Sequence, residues 1–217
     1  MLLTFLIKGM QELEQTSLHH HAEPIRRRSP ELAVDLPEQE QEGDKGSRII
    51  NICEPITATL SNKVILQILQ YESEHSGEPI HMFIYSPGGC VPSGLAIIDV
   101  MNHVLSPVFT YCVGYAASMG AVILACGEKD HRYILPHSRV MIHQASGAAG
   151  GTLDNVRATL AFQSALEDET DQLLARATGR TGEEVRNASR TDNWMNAQTA
   201  VDFGLIDHVL ASAPSKR

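Results

Sequence analysis

No stretch of this chain strings together the roughly 18 apolar residues that a membrane-spanning helix requires. Met1 to Ile7 is apolar but short, carries no basic segment before it, and does not read as a signal peptide. No Cys-x-x-Cys spacing occurs. The four cysteines, Cys53, Cys90, Cys112 and Cys126, each stand in or beside an apolar run, so zinc and dithiol redox chemistry are set aside. They read instead as buried free thiols of a reducing compartment. Basic charge is scarce: 17 Lys and Arg face 26 Asp and Glu, a net charge of −9, and the only basic block is Arg26-Arg27-Arg28. A dedicated nucleic-acid binder needs a basic face, so that class is excluded too. Neither the dinucleotide pattern G-x-G-x-x-G nor the phosphate loop G-x-x-x-x-G-K-[ST] is present.

What remains is enough for one well-packed domain: 217 residues, of which 43% are apolar. Residues 1–47 differ from the rest. They hold His19-His20-His21, three prolines and an acidic, glutamine-rich run from Glu38 to Asp44, with little to bury. This stretch is expected to be a flexible extension, serving as a propeptide or an axial arm, ahead of a domain over 48–217.

From Arg48 onward strand and helix alternate. Ile49 to Ile52 is β-branched and strand-like. Leu60, Val64, Ile65, Ile68 and Leu69 fall at helical spacing, and that helix is expected to end near Gly77. A strand over 80–85 stops at Ser86-Pro87-Gly88-Gly89, a helix follows over 92–104, and a third strand over 108–113 closes at Gly114. An apolar helix over 118–126 and short strands near 132–135 and 140–143 come next. Repeated strand–helix units imply an α/β fold with a largely parallel sheet. The segment 152–178 reads as one long helix capped by Gly179, too long for a compact domain to cover, so it should project and pack on another subunit. Thr181 to Glu184 is a capping-box signature opening a further helix.

Three segments can carry chemistry. Ser118 follows a turn of small residues between a strand and a helix, beside the unpaired N–H groups of a helix N-terminus, which can stabilise an oxyanion; a serine there can equally be a plain helix cap. Gly88 and Gly89 let a backbone come close to a ligand or simply turn the chain. His143 ends an apolar strand ahead of a loose run of small residues, where catalytic groups tend to be displayed. Asp192, between Thr191 and Asn193, says little by itself.

Taken together, Tyr85 to Gly89, Ala116 to Ala121, Leu135 to Gln144 and Ala200 to Asp207 resemble the Clp protease (ClpP) family over about residues 48–210. The separations of Ser118, His143 and Asp192 match the family's triad without a gap. The resemblance implies a crotonase-like α/β fold with repeated ββα units and the 152–178 helix as a projecting handle. It implies Ser118 as nucleophile, His143 as general base, Asp192 as its orienting carboxylate, and the backbone N–H groups of Gly89 and Met119 as oxyanion hole. It further implies self-association into two stacked heptameric rings, a cytoplasmic setting, and unfolded polypeptides as substrates. A Clp-type AAA+ ATPase would feed the chamber; ATP would be used by that partner, leaving this chain with no metal or cofactor. No membrane or nucleic acid is implied as a partner. Peptides with an apolar residue before the cut are the expected small substrates.

The chain departs from the family at three places. The lead-in to the first strand that forms the axial pore loops is not recognisable in residues 30–48, position 191 is Thr where many members carry Arg, and Ala145 to Gly151 is unusually small. The pocket that would receive ATPase loops includes His81, Phe83 and Tyr111, of which His81 is a polar choice. The alternatives are a non-catalytic or latent subunit of a mixed ring, an acyl-CoA enzyme of the crotonase type, and a cysteine peptidase using Cys90 with His143. The intact set Ser118, His143 and Asp192 argues against the first two, and no spacing supports the third.

Overall fold

The computed structural model describes residues 48–210; the extension expected over 1–47 and the last seven residues lie outside them. Among the described residues seven strands form one sheet and six helices flank it. In chain order these are β1 (Ile49–Ile52), α1 (Ala58–Glu74), β2 (Ile80–Ser86), α2 (Val91–His103), β3 (Val108–Ala117), α3 (Met119–Ala125), β4 (Arg132–Ile134) and β5 (Arg139–Ile142). Then follow α4 (Leu153–Thr178), α5 (Gly182–Ala188), β6 (Asn193–Asn196), α6 (Ala197–Phe203) and β7 (His208–Val209).

The first three strands pair in parallel, β1 on β2 and β2 on β3, each joined to the next through a helix as parallel neighbours require. Their inward residues, Ile50, Ile52, Ile80, Met82 and Ile84, are fully buried under α1, whose Leu60, Val64, Ile68 and Leu69 supply the opposing layer. Each such side chain contributes about 1.5–3 kcal/mol when fully buried. The α1 helix begins where Thr57 accepts a hydrogen bond from the Leu60 N–H and ends at Glu74, three residues before the expected Gly77. Its last carbonyls are satisfied by Arg48, whose guanidinium donates to Tyr71 O at 2.7 Å and His75 O at 3.0 Å.

Beyond β3 the sheet divides. The first half of β3 pairs with β4 through Thr110 to Cys112, and its second half pairs with β5 through Tyr115 to Ala117. The expected end of β3 at Gly114 is therefore corrected: the strand passes through that glycine at φ 75° and continues to Ala117. One strand thus serves two partners, and the end of its second half carries the candidate site.

Arg132, 1% exposed, locks the division on the β4 side. Its guanidinium donates to Ala125 O on α3, to Ala177 O on α4, and to both oxygens of Asp207 at 2.6 and 2.8 Å. The α4 helix is long as expected, 26 residues or about 39 Å, with Thr152 capping one end and left-handed Gly179 the other. Among its side chains only Asp171 and Leu174 are buried, while Leu153, Leu160 and Phe162 are exposed. The predicted capping box is formed: Thr181 accepts from the Glu184 N–H and Glu184 accepts from the Thr181 N–H.

Candidate active site

Strand register gathers the three sequence-predicted residues. Ala117 on β3 stands opposite Met141 on β5, and the ladder extends one step further through Ser118 N–H donating to Met141 O at 2.8 Å. On its other edge β5 pairs antiparallel with β6, Ile142 opposite Asn193. The next position outward on each strand is His143 and Asp192. Their side chains meet there, His143 Nδ1 standing 3.0 Å from Asp192 Oδ1. A carboxylate only accepts, so Nδ1–H donates, which leaves Nε2 free to accept a proton. Asp192 remains 64% exposed and His143 27% exposed. Gln144 N–H donating to Ser189 O at 2.7 Å ties the segment after His143 to the end of α5.

Ser118 is held in a turn that non-glycine residues rarely adopt, φ 54° and ψ −127°. Such a conformation costs on the order of 1–3 kcal/mol and persists only where the surroundings impose it. Although Ser118 precedes α3, its side chain makes no capping hydrogen bond, so the plain-cap reading does not account for it. Ser118 and His143 line one cavity, and among the described residues no hydrogen bond joins them.

The glycine turn lies against the same point. A Cβ on Gly88 would come within 2.6 Å of both Ser118 Cβ and Ala117 O and 2.9 Å of Met119 N. The turn is pinned from behind: Ile56 N–H donates to Gly88 O, Cys90 N–H donates to Ile56 O, and the buried Ser86 hydroxyl accepts from the Gly88 N–H at 3.2 Å. The N–H groups of Gly89 and Met119 donate to no partner among the described residues and remain available beside the serine.

A sequence profile of the Clp protease family matches residues 45–213. The chain is 44% identical over 166 residues to the ATP-dependent Clp protease proteolytic subunit 2 of Chlamydia trachomatis serovar D, covering 76% of this chain and 82% of that protein. It is 43% identical over 166 residues to the corresponding subunit 1 of Chlamydia felis, with 76% and 82% covered. The chain belongs to the Clp protease family. The α/β fold expected from the resemblance is the one observed, and the Clp protease complex is the setting in which the remaining surfaces are to be read.

One of those surfaces is the aromatic face at the start of the parallel strands. Phe83 stacks on Tyr111 at 4.6 Å between centroids, and Tyr111 on Tyr133 at 4.9 Å. The polar choice at His81 is accommodated by the Tyr111 hydroxyl, 2.8 Å from His81 Nδ1, and burial pushes the His81 pKa down. The cysteine reading needs correction. Cys112 is buried and Cys126 nearly so, but Cys53 and Cys90 are exposed, because each sits where its strand or turn gives way to solvent. No helix among the described residues is long and apolar enough to cross a membrane.

Sequence reasoning missed two contributors. Strand β6, Asn-Trp-Met-Asn, has no apolar run to announce it, yet its pairing with β5 brings Asp192 beside His143. Ser189, Glu167 and Asp171 share the cavity with Ser118 and His143, and only the packing of α4 against α5 reveals that.

Proposed function

We propose that this chain is a serine endopeptidase in which Ser118 attacks the peptide carbonyl, His143 moves the proton, and Asp192 orients His143. The observation that carries this reading is the double register of β5, which places His143 between the end of Ser118's strand and Asp192. In the first step the Ser118 Oγ–carbonyl bond forms and the hydroxyl proton passes to His143 Nε2. The oxyanion is met by the N–H groups of Gly89 and Met119. The carbon–nitrogen bond then breaks, the leaving amine takes the proton from Nε2, and an acyl-serine remains. Water attacks that ester, giving its proton to His143, which returns it to Ser118 as the acid product leaves. These steps need no metal or cofactor from this chain.

The same reading assigns the wider setting. Two heptameric rings would stack through α4, whose Leu153, Leu160 and Phe162 are exposed, with no covering among the described residues. Unfolded polypeptide would enter from a Clp-type ATPase docked on the aromatic face of Phe83, Tyr111 and Tyr133, with ATP used by that partner, in the cytoplasm. The residues 1–47 would act as propeptide or axial arm. A second reading, a latent subunit of a mixed ring, is favoured by one observation: Ser118 and His143 are not hydrogen-bonded here. Catalytic hydrogen bonds commonly tighten only once substrate is bound, so the active reading is preferred. Hydrolysis of an unfolded model protein and a short fluorogenic peptide by wild type and by Ser118→Ala tests it. Turnover that falls by about 10⁶-fold in the variant supports the triad; equal turnover in both refutes it.

A further inference from the structure

Asp192 is held loosely for a group that must orient a base. Its carboxylate is largely exposed, and among the described residues His143 is its one hydrogen-bond partner. Its place therefore depends on the backbone of β6, a four-residue strand that pairs with β5 alone among the described residues. Met195 buries one face of that strand. From the other face Trp194, 52% exposed, reaches past β5 to Tyr115 on β3, with ring centroids 6.1 Å apart and planes at 68°. Tyr115 in turn meets Tyr85 edge to face at 4.9 Å. Tyr85 lies over Gly114, where a Cβ would stand 2.8 Å from its ring. A row of three aromatic rings thus crosses β2, β3 and β6. The first two strands lead into the glycine turn and Ser118, and the third begins one residue after Asp192.

We propose that Trp194 is a positioning residue: its edge contact with Tyr115 fixes β6 against β3 and so holds Asp192 where it can orient His143 toward Ser118. The proposal rests on the peptidase reading above and deepens it. Backbone pairing decides which residues of β5 and β6 face each other, but neighbouring strands twist against one another by anything from about 10° to 35°. The ladder alone therefore leaves the angle of an outer strand open. A contact that spans β5 removes that freedom, and Tyr115 lies on the strand that runs directly into Ser118. The indole thus sets Asp192 against the nucleophile itself. Register supports the same role. Trp194 stands opposite Met141, whose carbonyl accepts the Ser118 N–H at 2.8 Å, and His143 is its diagonal neighbour across the ladder. Cross-strand partners share a face of the sheet, and Met141 beside the indole is only 6% exposed. Without the indole, a shift of about 1 Å at Asp192 is enough to lower turnover by about 10²-fold.

The test is a double-mutant cycle on the full chain in its assembled form: wild type, Trp194→Ala, Asp192→Asn and the two combined. Each protein is read by kcat and KM on a short fluorogenic peptide and by the rate at which a fluorophosphonate labels Ser118, which stays measurable where turnover is slow. Trp194→Ala should lower kcat and the labelling rate by about 10–100-fold with KM little changed. Trp194→Phe, which keeps an aromatic edge, should restore kcat to within about threefold of wild type. In the Asp192→Asn background the same Trp194→Ala change should cost less than about threefold, because no carboxylate is left to position. A merely structural role would subtract the same factor in both backgrounds. Trp194→Leu runs through the same cycle, so that a failure of the alanine variant to assemble does not decide the matter. A loss undiminished in the Asp192→Asn background, or wild-type kcat in both Trp194→Ala and Trp194→Leu, overturns the proposal while leaving the peptidase reading intact. Wild type that neither cleaves the peptide nor takes the label overturns both together.

Discussion

Replacing Gly88 with alanine perturbs the site through one methyl group. The residue holds φ 89°, in the left-handed region that a side chain disfavours by about 1–2 kcal/mol. The added Cβ would also stand 2.6 Å from Ser118 Cβ and Ala117 O and 2.9 Å from Met119 N. Carbon atoms in ordinary contact sit near 3.5 Å or more, so the turn must retreat by roughly 1 Å. It cannot do so freely, because Gly88 O, Gly88 N–H and Cys90 N–H are all held by hydrogen bonds to Ile56 and Ser86. Overpacking of this kind costs about 1–3 kcal/mol more, giving about 2–5 kcal/mol in all. The retreat carries Gly89 N–H away from the oxyanion, and the loss of one such donor lowers kcat by about 10²–10³. Gly77→Ala provides the control: φ is 87° but nothing lies within 4 Å of its Cβ, so it should cost only the backbone term and leave kcat alone. Peptide hydrolysis together with urea unfolding separates the two effects. A Gly88→Ala protein with the kcat and stability of Gly77→Ala would refute the reasoning.

Asp192→Asn should lower kcat by about 10⁴, the scale seen when a triad carboxylate is neutralised, with little change in melting temperature because the carboxylate is largely exposed. At Asp207 burial works to raise the pKa, but hydrogen bonds from Arg132 and Lys129 outweigh it and hold the carboxyl well below the usual range. Since the folded value lies below the unfolded value of about 3.9, the contribution is complete above about pH 5 and drains away as the pH falls. Asp207→Asn should therefore lose about 3–5 kcal/mol at pH 7 by urea unfolding, and the gap to wild type should narrow at pH 3; a gap that does not change with pH contradicts this. A thiol reagent at neutral pH should modify Cys53 and Cys90 in the native subunit. It should reach Cys112 and Cys126, whose thiols burial pushes up to about 12, only after denaturation.

Much of this organisation is legible in the sequence because it is local. Apolar spacing marks α1, the Thr181 and Glu184 pair marks α5, and Gly179 marks the end of α4; each signal acts within a turn or two of chain. What is not legible is set by pairing at a distance. Gly114 reads as a stop, yet β3 runs through it because β5 supplies a partner for Tyr115 to Ala117. The apolar neighbours of Cys53 and Cys90 suggest burial, whereas exposure is decided by where the sheet and the α2 helix end. Asp192 illustrates the same limit within the site: its short strand has no pattern of its own, and its place beside His143 follows from an antiparallel register that only the folded chain provides. Resemblance singled out Ser118, His143 and Asp192, but it gave no hint that Glu167, Asp171 and Ser189 share their cavity.

The most direct test of the central claim is fluorophosphonate labelling of the assembled protein followed by peptide mapping, on wild type, Ser118→Ala and His143→Ala. The account predicts a single adduct on Ser118 in wild type and none in either variant. A correctly assembled wild-type particle that takes no label, or one whose label survives Ser118→Ala, would contradict it.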